Sequence, residues 1–356
     1  MRPGLQSLGE LVISLKLRFE GVNKANDVKL TEYSHGAGCG CKISPAVLTQ
    51  ILESDKEYAV DPRLLVGNDT RDDAAVYALD DERLIISTTD FFMPIVDDPF
   101  EFGRIAATNA LSDVYSVGGS PIMALAIAGF PTEKMSVQQI QEILGGGAKA
   151  CEDAGIPIAG GHTIDAPEPI YGLAAVGLVS VNNIKRNDGA KAGDTIILGK
   201  GLGVGILGAA LNKGELDEIG YSELITSTTK LNSIGYELGT IPDVHAITDV
   251  TGFGLIGHSL EICRGSNLSA KINWDHIPIL PSAITYAQKG YKTGAGNRML
   301  EGYKGDFTAT ISIEDWQKNL LVDPQTSGGL LVSCSKNIAN DVLGLFQRSG
   351  FDHASI

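Results

Sequence analysis

The chain has 356 residues, of which 43% are hydrophobic and 20% charged. This length exceeds one ordinary hydrophobic core and predicts two domains of similar size. The formal net charge is −15, and so acidic a surface repels nucleic acid and anionic membranes, which excludes both as expected partners. Any polyphosphate ligand must therefore be met by a local cationic site or by bound metal ions.

The cysteines and the hydropathy of the chain indicate its compartment and whether it spans a membrane. Five cysteines, at positions 39, 41, 151, 263 and 334, form neither a paired framework nor a C-x-x-C motif, which is typical of a reducing cytoplasm. No apolar run reaches the ~18 residues that span a bilayer. We interpret residues 1–29 as a poorly ordered N-terminal extension, because Glu10 and Glu20 argue against a transit peptide.

In chain order, the first half alternates strand-like and helical patterns. A short strand over residues 29–33 is predicted to lead into a glycine-rich segment, and Ser44-Pro45 is predicted to begin a helix. Further strands are predicted over residues 74–79, 84–88, 121–129, 156–159 and 170–181, and helices over residues 101–117 and 136–154. We expect the strands to form one sheet.

A charged, glycine-containing stretch at residues 185–193 is the best domain boundary. The pattern then starts again, with strands predicted over residues 195–198 and 246–247 and helices over residues 204–211, 222–238 and 255–264. Two halves, each a sheet covered by helices, indicate an α+β fold class. The second domain is predicted to cover residues 190–356, and its end is expected to be clipped because no closing strand follows the last helix.

The segment His35-Gly-Ala-Gly-Cys-Gly-Cys-Lys42, which we call the thiol loop, carries the clearest chemistry. Its three glycines let the backbone approach a ligand closely, and a lysine beside two thiols favours the reactive thiolate. A mobile arm of this kind can deliver a nucleophile together with a phosphate-binding cation. Two alternatives stay open from these residues alone. One is a flexible loop with incidental cysteines, and the other is a soft-metal site of Cys39, Cys41 and His35, which falls short of four ligands.

The thiol loop is also a near miss for a phosphate-binding P-loop. Cys41 replaces the second glycine of that motif, and Ile43 follows Lys42 where a serine or threonine would hold magnesium. A Walker-type ATPase is therefore rejected.

Aspartates recur at predicted element ends and in one helix: Asp72 and Asp73 precede a strand, Asp90 closes the next strand, Asp113 lies inside a helix, and Asp249 joins a strand to a helix. Taken singly, each is typical of a cap or turn. Taken together they favour a metal–nucleotide site, because magnesium commonly binds a few carboxylates plus substrate phosphates. Since ATP and the protein are both anionic, bridging metal ions are required.

Three other segments are rich in glycine. Gly160 and Gly161 follow a predicted strand and give backbone N–H groups room to contact a phosphate or ribose, whereas His162 alone is more often structural. Residues 199–205 follow a strand and open a helix, but their glycine spacing fails the dinucleotide-binding pattern, so a tight packing turn is predicted. Residues 323–329 are predicted to be a structural turn before an apolar strand.

In order and spacing, these motifs resemble the selenophosphate synthetases from about Leu30 to the end of the chain. The matching segments are residues 35–42, 68–75, 87–92, 108–113, 160–165, 248–254 and 323–329. The thiol loop is the most specific of them, because relatives of similar fold such as aminoimidazole ribonucleotide synthetase lack it. The resemblance implies a two-domain aminoimidazole ribonucleotide synthetase-like fold, with an ATP-binding and dimerisation domain over residues 30–189 and a homodimer formed through the N-terminal sheets.

The resemblance also implies roles for individual residues. Cys39 matches the catalytic position, Lys42 the essential lysine, and Cys41 a position that is usually dispensable. The matches to magnesium ligands are Asp73, Asp113 and Asp249. The matches to ATP-binding positions are Lys42, Thr70, Arg71, Asp72, Asp90, Asp113, Gly161, His162 and Thr163.

The implied reaction converts ATP, selenide and water into selenophosphate, AMP and phosphate, with Mg²⁺ as cofactor, and supplies activated selenium for selenocysteine and selenouridine synthesis. Our hypothesis is that Cys39 handles selenium and Lys42 steadies the transferring phosphate; attack on phosphorus and mere positioning of selenium stay open. Whether selenium arrives as free selenide or from a delivery protein also stays open. The rival functions are an ATP-dependent amidine ligase of the same fold, a non-catalytic selenium or metal carrier, and an inactive regulatory relative.

Overall fold

The computed structural model describes residues 29–34, 36–41, 51, 61–67, 73–303, 305–310 and 312–356, with the backbone alone at positions 39 and 41. Several predictions lie outside these residues. They are the N-terminal extension, the helix expected to begin at Ser44, and the site residues Lys42, Thr70, Arg71 and Asp72. No helix in the described ranges is long and apolar enough to cross a membrane.

A six-stranded sheet is built by the first half of the chain. Its strands lie in the order β1-β2-β3-β6-β4-β5, and all neighbours are antiparallel except the parallel pair β4 and β5. Along β3, buried and exposed side chains alternate because one face of the sheet packs on a core. The strand bounds are β1 Leu64–Val66, β2 Ala75–Ala78, β3 Arg83–Phe92, β4 Ser120–Phe130, β5 Ile158–Asp165 and β6 Ile170–Ser180.

Two helices, α1 (Pro99–Ser116) and α2 (Val137–Asp153), pack together with this sheet. At the start of α1, the Asp98 side chain accepts a hydrogen bond from the backbone N–H of Glu101, and α2 begins with a capping box. A Cβ at Gly103 would meet the backbone oxygen of Ile143, so glycine is what lets the two helices approach closely. Helix α1 contacts both sheets and is therefore the central element of the fold.

A smaller, three-stranded antiparallel sheet is built by the second half, from β7 (Thr195–Leu198), β8 (Val244–Asp249) and β9 (Leu330–Cys334) in the order β7-β9-β8. The helices of this half are α3 Val204–Asn212, α4 Glu218–Thr228, α5 Ile234–Gly239, α6 Gly254–Gly265, α7 Pro281–Gln288, α8 Gly294–Gly302, α9 Asp315–Leu321 and α10 Ala339–Arg348. Both halves combine a sheet with helices, so the predicted α+β class is confirmed. The boundary near residues 185–193 falls between the sheets and stays a prediction.

Two predicted elements of the N-terminal half differ from the structure. The strand expected over residues 29–33 is a 3₁₀ helix, Leu30–Tyr33, in which Thr31 donates both its N–H and its hydroxyl to Asp97 Oδ1, at 3.1 and 2.7 Å. The strand expected over residues 156–159 begins at Ile158 and runs on to Asp165, so the glycines expected after it lie inside it.

Two expectations for the C-terminal half also change. The helix expected over residues 222–238 is split into α4 and α5, because the Thr228 and Thr229 hydroxyls bond back to carbonyls of the preceding turn and favour its termination. After α10, Ser355 exchanges two backbone hydrogen bonds with Leu198, at 2.9 and 3.0 Å, so the last residues do pair with β7.

Candidate active site

Each of the three predicted metal ligands accepts a hydrogen bond from a hydroxyl group. Thr248 Oγ1 donates to the Asp73 carboxylate at 3.0–3.1 Å, which joins the start of β2 to the end of β8. Ser112 Oγ of α1 donates to Asp249 Oδ2 at 2.5 Å. Beside them, Thr88 Oγ1 of β3 donates to Asp113 Oδ2 at 2.5 Å and lies 3.4 Å from the backbone oxygen of Asp73. The structure therefore collects carboxylates from both halves of the chain around α1; we call Asp73, Asp113 and Asp249 the carboxylate cluster.

The carboxylate cluster brings acidic groups close together in a buried region. Burial, together with the negative charge of Asp249, raises the pKa of Asp73 to about 8. Burial acts to lower the pKa of the nearby His258, but the charges of Glu261 and of both aspartates raise it overall. Acidic groups that repel one another in a buried place are stabilised in the ionised form when a metal ion lies between them.

A magnesium ion suits this set of donors. Within the described ranges, no group of three or more His, Cys, Asp or Glu side chains is arranged to hold a metal by itself. Magnesium usually takes one or two carboxylates and completes its shell with water and phosphate oxygens. The carboxylate cluster therefore fits an ion that arrives together with a polyphosphate.

Asp90 belongs to the same region through a different partner. It is buried within β3, two residues before the end of that strand, and was expected to close it. Asn109 of α1 donates its amide to Asp90 Oδ2 at 2.7 Å and accepts a hydrogen bond from the backbone N–H of Ser327, also at 2.7 Å. A residue of the C-terminal half thus fixes the orientation of a predicted ATP-binding carboxylate.

Three other predicted nucleotide contacts that the structure describes are not brought to this place. Gly161, His162 and Thr163 lie in β5, whose side chains are exposed along nearly the whole strand. Strand β5 is at the edge of the sheet, and β4 and β6 separate it from β3. At about 4.8 Å between neighbouring strands, these residues are roughly 14 Å from the strand that carries Asp90.

The described backbone of the thiol loop contacts both halves of the chain. Residues Gly38–Cys41 form a 3₁₀ turn, and the N–H of Gly38 donates to the backbone oxygen of Met93 at 3.0 Å. Gly38 has φ +50°, and a Cβ there would meet the hydroxyl of Thr326, so both conformation and packing require glycine. The side chains of Cys39 and Lys42 lie outside the described residues.

Two features of this region were not expected from the sequence. Lys200 is buried, and its ammonium donates to the backbone oxygens of Lys230 at 2.6 Å and Ser327 at 2.8 Å. Burial lowers the pKa of Lys200 to about 7. The turn at residues 323–329, predicted to be merely structural, contacts both the thiol loop and the partners of Asp90 and Asp249. The one sequence signal for the buried lysine was its place between Gly199 and Gly201, directly after an apolar strand.

Comparisons with known proteins agree with this architecture. The N-terminal domain of AIR synthase related proteins matches residues 71–179, and the C-terminal domain of that family matches residues 191–356. "Selenide, water dikinase" of Paraburkholderia xenovorans is 55% identical over 92% of this chain and 93% of its own. The protein of that name from Rhizobium meliloti is 52% identical over 92% of this chain and 94% of its own.

Solved structures resemble the fold at low sequence identity. AaThiL complexed with AMPPCP and TMP matches with a TM-score of 0.62 and 18% identity, and the match covers 87% of this chain and 87% of its own. Hydrogenase maturation protein HypE in complex with ATP has a TM-score of 0.57 and 18% identity, over 83% of this chain and 80% of its own. The predicted aminoimidazole ribonucleotide synthetase-like fold is confirmed.

Proposed function

This chain belongs to the selenide, water dikinase family, and we propose that its carboxylate cluster holds the magnesium ions and the nucleotide of that reaction. The reaction makes selenophosphate, AMP and phosphate from ATP, selenide and water, and its product supplies activated selenium for selenocysteine and selenouridine synthesis. The observation that carries the proposal is the pair of contacts Thr248–Asp73 and Ser112–Asp249, which places acidic groups of both halves in one buried region.

The proposed magnesium ligands are Asp73, Asp113 and Asp249. Each accepts a hydrogen bond from a hydroxyl, and carboxylate oxygens are the ligands that magnesium prefers. Bound magnesium would neutralise charge on the triphosphate. The chain's own part is to hold the carboxylates in fixed orientations, so that little reorganisation is needed when ATP arrives.

Asp90 is proposed to contact the nucleotide, with Asn109 as its orienting partner. The sequence places Thr70, Arg71 and Asp72 directly before Asp73, and the family resemblance assigns ATP contacts to all three. Arg71 and Lys42 are the proposed sources of positive charge where it is needed during transfer.

Cys39 is proposed to handle selenium, and Lys42 to steady the transferring phosphate. Support comes from the backbone of the thiol loop, which lies against Thr326, the residue next to Ser327 in the turn that bonds Asn109. Selenide is easily oxidised, and a loop that closes over the site would exclude water and oxidant. The same chemistry favours the cytoplasm as the proposed location. Selenium arrives either as free selenide or from a delivery protein.

A homodimer is proposed to bring Gly161, His162 and Thr163 to a nucleotide. In one chain these residues lie on the exposed edge strand, away from the carboxylate cluster, and Leu125 and Ile164 of β4 and β5 are exposed apolar side chains close by. A second copy that covers this face would bury the apolar side chains and place the backbone of β5 beside a nucleotide bound in its partner.

The test is phosphorus NMR of the full chain with ATP, magnesium and selenide under anaerobic conditions. Selenide-dependent appearance of AMP, phosphate and selenophosphate is expected. An amidine ligase would release its nucleotide product only with a formamide substrate. A carrier would bind selenium tightly without consuming ATP. Either of those results, or AMP release without any need for selenide, would contradict the proposal.

A further inference from the structure

The turn at residues 323–329, which we call the 323–329 turn, is buried and joins three parts of the molecule. The side chains of Gln325, Thr326 and Ser327 are at most 2% exposed. Gln325 Oε1 accepts the N–H groups of Gly203 and Val204 at the start of α3, both at 3.1 Å. The turn is therefore anchored to α3, and whatever it contacts is held relative to the C-terminal half.

On one side, the 323–329 turn orients the carboxylates. The N–H of Ser327 reaches Asp90 through Asn109, as described above. The backbone oxygen of Gly328 accepts a hydrogen bond from Asn232 Nδ2 at 2.8 Å, and the same amide group lies 2.8 Å from the Ser112 hydroxyl that donates to Asp249. Backbone groups of two adjacent residues, Ser327 and Gly328, thus orient two carboxylates of the site.

On the other side, the 323–329 turn supports the thiol loop. Gly38 lies so close to the Thr326 hydroxyl that no larger residue would fit there without displacement. A shift of this turn would therefore move the thiol loop and release the carboxylates together. Residues 326–328 therefore contact both the thiol loop and the partners of the carboxylates.

Lys200 is the cation that fixes this conformation. Its ammonium donates to the backbone oxygen of Ser327, a non-glycine residue held at φ +50°, and to that of Lys230. Left-handed backbone in a residue with a side chain is strained and persists only where its surroundings impose it. A buried lysine is costly unless its ammonium is hydrogen-bonded, so the Ser327 and Lys230 oxygens are restrained to the positions that satisfy it.

We propose that Lys200 is a positioning residue for the reaction. It acts through the 323–329 turn to hold the thiol loop and the carboxylate cluster in a fixed position relative to each other. The inference rests on the proposed function and adds a residue to it. Lys200 itself does not touch the reacting atoms. It keeps the distance between the thiol loop and the carboxylate cluster constant.

The chain offers a matched control in Lys185. This second buried lysine also donates to two backbone oxygens, those of Ile241 at 2.9 Å and Val244 at 2.7 Å, but these lie away from the turn and at the far end of β8 from Asp249. The Lys200→Met and Lys185→Met variants remove the same kind of hydrogen bonds. They differ in whether the bonds hold the 323–329 turn.

The experiment measures selenide-dependent AMP formation in the full-length wild type and both variants, at a temperature where circular dichroism shows all three folded. Lys200→Met is expected to lower kcat at least tenfold while the KM for ATP changes less than threefold. Lys185→Met is expected to change neither constant by more than threefold. Equal effects of the two variants would reduce Lys200 to a stabilising residue and overturn the inference. No turnover by the wild type would instead contradict the proposed function.

A second variant keeps the inference testable if Lys200→Met does not fold. Thr326→Val retains the shape of the side chain and replaces the hydroxyl that faces Gly38. We expect kcat to fall about tenfold and the alkylation rate of Cys39 by iodoacetamide to change at least threefold, with an unchanged circular dichroism spectrum. Wild-type kcat and alkylation in this variant would overturn the inference.

Discussion

The carboxylate cluster and strand β5 were both predicted to contact the nucleotide, but the cluster lies in a buried region and β5 lies at an exposed edge of the sheet. The cluster is gathered from distant parts of the chain: Thr248 and Asp73 are 175 residues apart, and Ser112 and Asp249 are 137 apart. The three β5 residues are contiguous and exposed at a sheet edge. A buried group of charges must be satisfied by hydrogen bonds or by a bound metal ion, whereas an exposed edge strand is free to contact a second copy of the chain.

Neutralising one carboxylate tests the buried side of this comparison and has the largest expected effect. Asp249→Asn removes the charge that we assign to magnesium while keeping the shape that accepts the Ser112 hydrogen bond. Selenide-dependent AMP formation is expected to fall by about 10²–10³-fold, the usual loss when one preorganised electrostatic group is removed. The matched control, Asp352→Asn, replaces an exposed aspartate and should keep wild-type kcat. A tenfold or smaller loss in Asp249→Asn would remove Asp249 from the metal ligands.

A charge placed on β5 tests the exposed side. Ile164 is 52% exposed, and Ile164→Asp would put a carboxylate into the proposed interface between two copies. We expect light scattering to show the monomer mass and kcat/KM for ATP to fall by about 10–100-fold, which corresponds to roughly 1.4–2.8 kcal/mol.

The control for that experiment is Ile219→Asp, which changes a 70% exposed isoleucine on α4. It should leave both mass and kcat/KM as in the wild type. If Ile164→Asp stays dimeric and fully active, β5 does not supply a nucleotide contact across an interface of this kind.

Removing one hydroxyl measures how much a hydrogen bond to the carboxylate cluster contributes to the stability of the fold. Ser112→Ala deletes the hydrogen bond to Asp249 and leaves a buried carboxylate less well satisfied. The free energy of unfolding is expected to fall by about 1–3 kcal/mol, as measured by urea denaturation. Ser335→Ala removes an exposed bond of 3.4 Å to Asp243 and should change it by less than about 0.5 kcal/mol. Equal losses of stability in the two variants would show that the buried hydrogen bond to Asp249 contributes no more than an exposed one.

The pH dependence of stability tests the buried region through Asp323. Burial raises the pKa of Asp323 from 3.8 to about 7, against the opposing hydrogen bonds from Ile206, Gln325 and Gly205. The folded state therefore keeps a proton that the unfolded state loses, and this contribution to stability decreases as the pH rises from about 4 to about 7. The slope is at most about 1.4 kcal/mol per pH unit.

Asp323→Asn is the variant that isolates this contribution, because asparagine keeps an oxygen acceptor without a titrating proton. Urea denaturation at pH 5 and pH 7 should show the wild type losing stability relative to the variant as the pH rises. The same pH dependence in both proteins would place the titration elsewhere.

The sequence by itself determined the elements whose residues carry a local signal. The apolar runs of β3 and β6, the body of α1 and the order of the acidic motifs were predicted correctly, although β3 runs beyond its predicted end at Thr88 to Phe92. It also identified the family through the thiol loop, because a cluster of thiols, glycines and a lysine is specific in composition. It named Asp73, Asp113 and Asp249 as one group, although nothing in their spacing brings them together.

Only the tertiary structure decided which side chains bridge these parts. Thr88, Ser112 and Thr248 are ordinary hydroxyl residues in the sequence, and their function as bridges follows from the packing of α1 between two sheets. Lys200 lay in a segment predicted to be only a packing turn, because a local pattern does not reveal that a lysine will be buried against backbone oxygens of residues 230 and 327. Local propensity sets each element, while long-range hydrogen bonds among buried polar groups set the site.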